Sequence, residues 1–167
     1  SKFPNVVDGG IYSIVFRGSD RAGNQSDTLI IEDVLYDFTK PVIAVSHPKN
    51  GMYLNHKHMT YLLSENLHEG RIVWTRTGGM DDPNAPYNIV SYDKDKTEGS
   101  HSEKEISGMP EVVENVVYTI SFSGSDRAGN LAEKVSVSGI TYDFTPPEIA
   151  LTFPESGMAV NHKEISF

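Results

Sequence analysis

The heptapeptide Gly18-Ser19-Asp20-Arg21-Ala22-Gly23-Asn24 recurs letter for letter as Gly124-Ser125-Asp126-Arg127-Ala128-Gly129-Asn130. Tyr36-Asp37-Phe38-Thr39 recurs as Tyr142-Asp143-Phe144-Thr145, and Asn55-His56-Lys57 as Asn161-His162-Lys163, all at an offset of 106 residues. Residues 1–61 set without a gap against 107–167 agree at 27 of 61 positions. A register held over that length signals duplication of a whole structural unit rather than a shared motif. A 106-residue unit is long enough to bury its own core, whereas solenoid units of roughly 20–45 residues lean on their neighbours. The chain therefore reads as about one and a half beads in series. That organisation suits holding things apart or holding on to them better than it suits chemistry.

Strand signals run through both copies. Tyr12, Ile14 and Phe16 alternate with Ile11, Ser13 and Val15 in a run closed by Gly18. In the second copy Tyr118, Ile120 and Phe122 alternate with Thr119, Ser121 and Ser123, which assigns the first trio to a buried face. Each run meets an Asp-Arg-Ala-Gly-Asn turn, where Gly23 or Gly129 supplies the positive φ of a tight loop. Second β-rich stretches follow at Thr28 to Tyr36 and Lys134 to Tyr142, and no helical periodicity is sustained anywhere. Thr39-Lys40-Pro41 and Thr145-Pro146-Pro147 are stiff, extended joints, because proline lacks the ladder N–H and bars the preceding residue from the α region. Boundaries placed there make 1–39 the C-terminal part of one repeat, 40–145 a complete repeat and 146–167 the N-terminal part of the next.

Within 40–145 the expected strands are Val42 to Ser46, Met59 to Ser64, Arg71 to Arg76, Tyr118 to Gly124 and Lys134 to Tyr142. The polar stretch from Thr77 to Asn115 leaves the middle strands poorly defined. Trp74, the single tryptophan, falls where an immunoglobulin-type sandwich buries one against its facing sheet, and core packing is favoured over ligand stacking.

The order Tyr-x-Ile-x-Phe-x-Gly-Ser-Asp-x-Ala-Gly-Asn followed by Tyr-Asp-x-Thr-x-Pro resembles the Ig-like tandem repeats of very large bacterial surface and adhesin-type proteins. The stretch from Leu63 to Gly79 is similar to the same class. The resemblance spans nearly the whole chain, but such motifs mark an architecture, not an activity. It implies an all-β, Ig-like antiparallel sandwich repeated in tandem, an exported and elongated protein, and calcium stiffening the junctions between domains. In an Ig topology the end that receives the preceding linker gathers Asp37 from that linker, Glu65 after the second strand, and Asp126 from the turn between the last two strands. Asn130 and Glu69 stand in reserve. Three carboxylates with backbone carbonyls and waters make up the oxygen set that Ca2+ prefers, whereas Mg2+ demands tighter octahedral geometry. Metal-free readings stay open: Asp126 and Asn130 capping their own turn, Arg127 neutralising Glu65, and Asp37 closing the final strand.

Other chemistry has less support. Formal net charge is −9, with scattered basic residues, which disfavours a nucleic-acid-binding stripe. No apolar run reaches the roughly 18–20 residues of a membrane span, so no membrane insertion is expected of this stretch. The absence of cysteine excludes disulfides and thiolate metal sites. Neither Gly-x-Ser-x-Gly nor a phosphate-binding loop occurs, and nothing singles out a glycosidase pair among 23 acidic residues, so no enzyme is expected. Of His47, His56, His58, His68, His101 and His162, only His56 and His58 share a strand face, and no third metal ligand is evident. His56 and its counterpart His162 are assigned a structural role at a turn. Asp81-Asp82-Pro83-Asn84 and Asp93-Lys94-Asp95 lack EF-hand spacing and are read as solvated turns.

The two ends pose a covering problem, since two strands alone are marginal in water. Continuation of the array into a longer chain is favoured over pairing of 146–167 with 1–39 of another copy, because that pairing leaves repeat positions 62–106 unsupplied. The expected function is a structural spacer or fibre element of a large extracellular, surface-anchored bacterial protein, whose immediate partners are neighbouring repeats. A carbohydrate- or protein-binding module using residues 77–115, with a glycan or cell-surface target, is the alternative.

Overall fold

A computed structural model of the chain describes residues 4–161 except 92, together with 163, 165 and 166. Ten strands are present among them: β1 Gly10–Phe16, β2 Leu29–Tyr36, β3 Ile43–His47, β4 Tyr53–Leu54, β5 His58–Leu63, β6 Glu69–Gly79, β7 Tyr87–Val90, β8 Gly99–Glu105, β9 Val116–Ser125 and β10 Val135–Tyr142. The helical content of the described residues is one 3-10 turn, Asp93–Asp95. The fold is all-β.

Three sheets form. β1 and β2 make a two-stranded hairpin, β4-β10-β9-β6-β7 a five-stranded sheet, and β3-β5-β8 a three-stranded one. Pairings are antiparallel except that β4 runs parallel to β10. The five- and three-stranded sheets contribute to a single buried cluster, the layering of a β-sandwich. Period-two alternation selects its members. On β9 Val116, Tyr118, Ile120 and Phe122 are buried, and they meet Ile72 and Trp74 of β6 and Val137, Ile140 and Tyr142 of β10. Ile43, Met59, Tyr61, Leu63 and Ile106 complete the cluster. Trp74 is fully buried and donates its indole N–H to the Tyr142 hydroxyl at 3.4 Å, as a core tryptophan must satisfy its one polar atom.

The hairpin β1–β2 repeats the geometry of β9–β10. Tyr12 pairs with Val34 and Ile14 with Ile31, with an irregularity between; 106 residues on, Tyr118 pairs with Ile140 and Ile120 with Val137 around the same irregularity. Backbone conformation follows: Asp33 has φ 57° where Gly139 has 72°, and Gly9 has φ 71° where Asn115 has 60°. The packing differs. Phe16 is 52% exposed and its equivalent Phe122 3%, because among the described residues no second sheet covers the β1–β2 hairpin.

The structure revises the reading of residues 77–115. Where strands were poorly defined, β7 pairs with β6 and β8 with β5. Asp82 and Asp95 are not in solvated turns: each is only 3% exposed. Asp82 accepts hydrogen bonds from the Tyr118 hydroxyl at 2.6 Å, the Tyr87 hydroxyl at 3.1 Å and the Asn84 N–H at 3.1 Å. It ties the loop to the core through the one polar atom of a buried tyrosine, which composition alone does not reveal. Asp81 and Asp93 are exposed, as expected of turn residues.

Candidate metal centre

The turn between β9 and β10 is built by its own side chains. Asp126 N–H bonds the Asn130 carbonyl at 3.2 Å. Asp126 Oδ1 accepts the Asn130 N–H at 2.9 Å, and Oδ2 accepts the Asn130 side-chain amide at 2.7 Å. Gly129 takes φ 94°. The first copy closes identically: Asp20 Oδ1 accepts Asn24 N–H at 2.9 Å and Oδ2 the Asn24 amide at 2.8 Å, with Gly23 at φ 92°. Because the exposed Asp20 turn and the buried Asp126 turn share this geometry, the loop is encoded locally.

Tertiary structure brings two more carboxylates to the second turn. Asp37 follows β2; its side chain accepts the Thr39 N–H at 3.0 Å, and its carbonyl accepts the Asn130 amide at 3.0 Å. Glu65 lies on the bend after β5 between the buried anchors Leu63 and Leu67. The bend is pinned by Val42 N–H to Ser64 Oγ at 2.8 Å and Glu98 N–H to Asn66 Oδ1 at 2.7 Å. Asp37, Glu65 and Asp126 each offer an oxygen, and the three oxygens lie within 4.8 Å of one another. Oxygens on opposite sides of a bound Ca2+ stand up to about 5 Å apart, so a single ion can touch all three.

The local field is negative and uncompensated. Burial raises the Glu65 pKa, and the charges of Asp126, Asp37, Glu98 and Asp8 raise it further, in that order. Burial also acts to raise the Asp126 pKa, but hydrogen bonds from Asn130, Gly129 and Ala128 outweigh it and hold that carboxyl below the usual range. None of the ion pairs among the described residues involves Glu65 or Arg127, so Arg127 does not neutralise Glu65 here. Lys40, close by in sequence, turns instead to Glu133 at 3.5 Å. The capping role of Asp126 and the gathering of carboxylates coexist in this arrangement.

The reserve residues divide. Asn130 is committed to Asp126 and Asp37, while Glu69 begins β6 opposite Ser125. Asp143 repeats the position of Asp37, and its side chain likewise accepts the N–H two residues on, Thr145, at 3.1 Å. Of the histidines, His101 stacks on Tyr61 with ring centroids 4.5 Å apart and its Nε2 lies 2.9 Å from the Thr97 carbonyl, a structural placement. His162 lies outside the described residues. Sequence reasoning missed His47 as a neighbour of His56 and His58, because the link is a strand pairing and not a spacing.

No family model matches the chain, and no curated protein matches it. What fold and site define is an all-β protein of sandwich type with an acidic cluster where the segment after β2 meets the turn between β9 and β10.

Proposed function

We propose that the chain is a structural spacer: one complete Ig-like unit, residues 40–145, flanked by parts of two others, in a tandem array of a large extracellular, surface-anchored bacterial protein. The observation that carries this is the 106-residue register, kept in sequence and in the strand pairings of β1–β2 and β9–β10. Strand order adds support. β3-β5-β8 against β4-β10-β9-β6-β7 matches an Ig arrangement of A-B-E facing A′-G-F-C-C′. The link from Asn130 to the Asp37 carbonyl, with the Lys40–Glu133 pair, ties the joint to the following unit.

In this reading Ca2+ bound by Asp37, Glu65 and Asp126 stiffens the junction: it removes the mutual repulsion of three carboxylates that come from the linker and the unit after it. Small-angle scattering with calcium and then with chelator tests it. An elongated particle that loosens under chelator supports metal-stiffened joints. One equally elongated in both leaves a spacer held by proline and packing alone, and a compact particle in both overturns the spacer reading.

One observation favours a binding module as the second reading. An open groove of about 510 Å3 runs over β6 and β9, and Val90 and Lys96 from the 77–115 region line it beside Arg71, Ser123 and Leu131. A glycan or peptide array that returns saturable binding lost on Arg71→Ala would favour that reading. No helix among the described residues is long and apolar enough to cross a membrane.

A further inference from the structure

His47 ends β3 and pairs across an irregularity with Thr60 of β5. That pairing sets its ring 5.4 Å, centroid to centroid, from His56, whose ring stands 5.0 Å from His58. The interplanar angles are 32° and 28°. The three imidazoles and Thr60 line an open depression of about 230 Å3, with no carboxylate in its lining. Lys57, between two of the histidines, sends its ammonium elsewhere, to the Pro110 carbonyl at 3.0 Å and Glu111 at 3.3 Å.

We propose that His47, His56 and His58 form a site for a borderline divalent transition-metal ion, Zn2+ foremost. Imidazole is a preferred ligand of such ions, and three imidazoles with one water complete the tetrahedron that zinc favours. The fold does not require this set, since the other copy carries Phe153 where His47 stands and Glu164 where His58 stands, while keeping the Asn-His-Lys turn. The histidine trio is thus particular to the complete unit. In the arrangement described the three rings do not offer nitrogens all within 4.8 Å of one another, so closure on a metal takes rotation of side chains, which the exposed His58 is free to make. His56 Nδ1 accepts the His58 N–H at 3.2 Å, which leaves Nε2 as its ligand atom.

The test is calorimetric titration of the whole chain, stripped with chelator, with ZnCl2 and separately CuCl2, alongside imidazole 15N NMR of the unaltered protein. One zinc per chain is expected, with the His47, His56 and His58 signals shifting and those of His68 and His101 staying. His47→Phe, the residue the other copy accommodates, and His58→Gln should each weaken binding by at least about tenfold. Asp37→Asn should leave it unchanged, which separates this site from the acidic junction. Failure of both metals to give saturable binding, shifts confined to other histidines, or full affinity in both histidine variants would each overturn the proposal. The NMR result on the unaltered chain decides the matter even if a variant does not fold.

Discussion

Asn130 ties two segments with one side-chain amide: it donates to Asp126 Oδ2 at 2.7 Å within its own turn and to the Asp37 carbonyl, just after β2, at 3.0 Å. The first bond recurs at Asn24 and Asp20, so it belongs to the turn; the second has no counterpart at Asn24 among the described residues.

Asn130→Ala should therefore loosen both the turn and its tie to the Asp37 segment. The loss expected is about 1–2 kcal/mol, from one charge-assisted and one neutral hydrogen bond. Chemical denaturation followed by Trp74 fluorescence measures it, since Trp74 is the single tryptophan and sits in the core. Asn24→Ala, at the exposed turn, should leave that transition in place; an equal loss would mean that Asn130 matters only through its turn.

Glu65→Gln should act in opposite directions with and without calcium. Its folded pKa is raised by burial and neighbouring carboxylates, so the ionised group opposes folding above that pKa, and the penalty fades as pH falls through it. Without calcium at pH 7, the variant should melt higher than the parent, and the gap should close toward about pH 4. With millimolar calcium the parent should gain melting temperature and the variant little. A parent indifferent to calcium sinks the metal reading and leaves the electrostatic one intact.

Asp82→Ala takes the acceptor from the hydroxyl of the buried Tyr118, while Tyr87 keeps the Glu111 carbonyl at 2.9 Å, and should cost about 2–4 kcal/mol, more than Tyr118→Phe. Burial acts to raise the Asp82 pKa, but hydrogen bonds from Tyr118, Asn84, Tyr87 and Ala85 bring it below the ordinary value. Its folded pKa being depressed, its contribution is present above the unfolded value of about 3.9 and is lost as pH falls through the folded one. Unfolding profiles of parent and variant should thus converge in acid below pH 4; parallel profiles would show that ionisation of Asp82 is immaterial.

Gly139→Ala should destabilise by about 1–2 kcal/mol, because φ is 72° and an added Cβ would stand 3.3 Å from both Gly51 N and Gly51 Cα. Asp33 holds the equivalent conformation at φ 57° on β2, whose one partner strand among the described residues is β1, so Asp33→Gly should be neutral or slightly stabilising. Thermal melts of the two variants decide whether crowding or backbone conformation dominates.

Much of this fold is legible in the sequence because its determinants are short-ranged. Alternation along Tyr118, Ile120 and Phe122 marks a buried strand face from side-chain direction alone, and the Asp126–Asn130 turn closes on bonds spanning four residues. The repeat doubles that legibility, since each local rule is written twice. Strand ends moved by up to three residues; β6, expected from Arg71 to Arg76, runs Glu69–Gly79 because its long partner β9 extends the ladder at both ends.

What only the tertiary structure decided is which distant groups meet. Asp37, Glu65 and Asp126 are separated by 28 and 61 residues and could be grouped beforehand only by assuming a topology. Asp82 sits in a stretch whose composition says surface, and it is buried because the hydroxyl of Tyr118 arrives from across the sheet. His47 joins His56 and His58 through the pairing of β3 with β5. The parallel contact of β4 with β10 left no periodic signal in two residues. Local hydrogen bonds and alternation act over a few residues and are written in order along the chain. Encounters across a sheet depend on registers set by the whole core, and no single segment carries them.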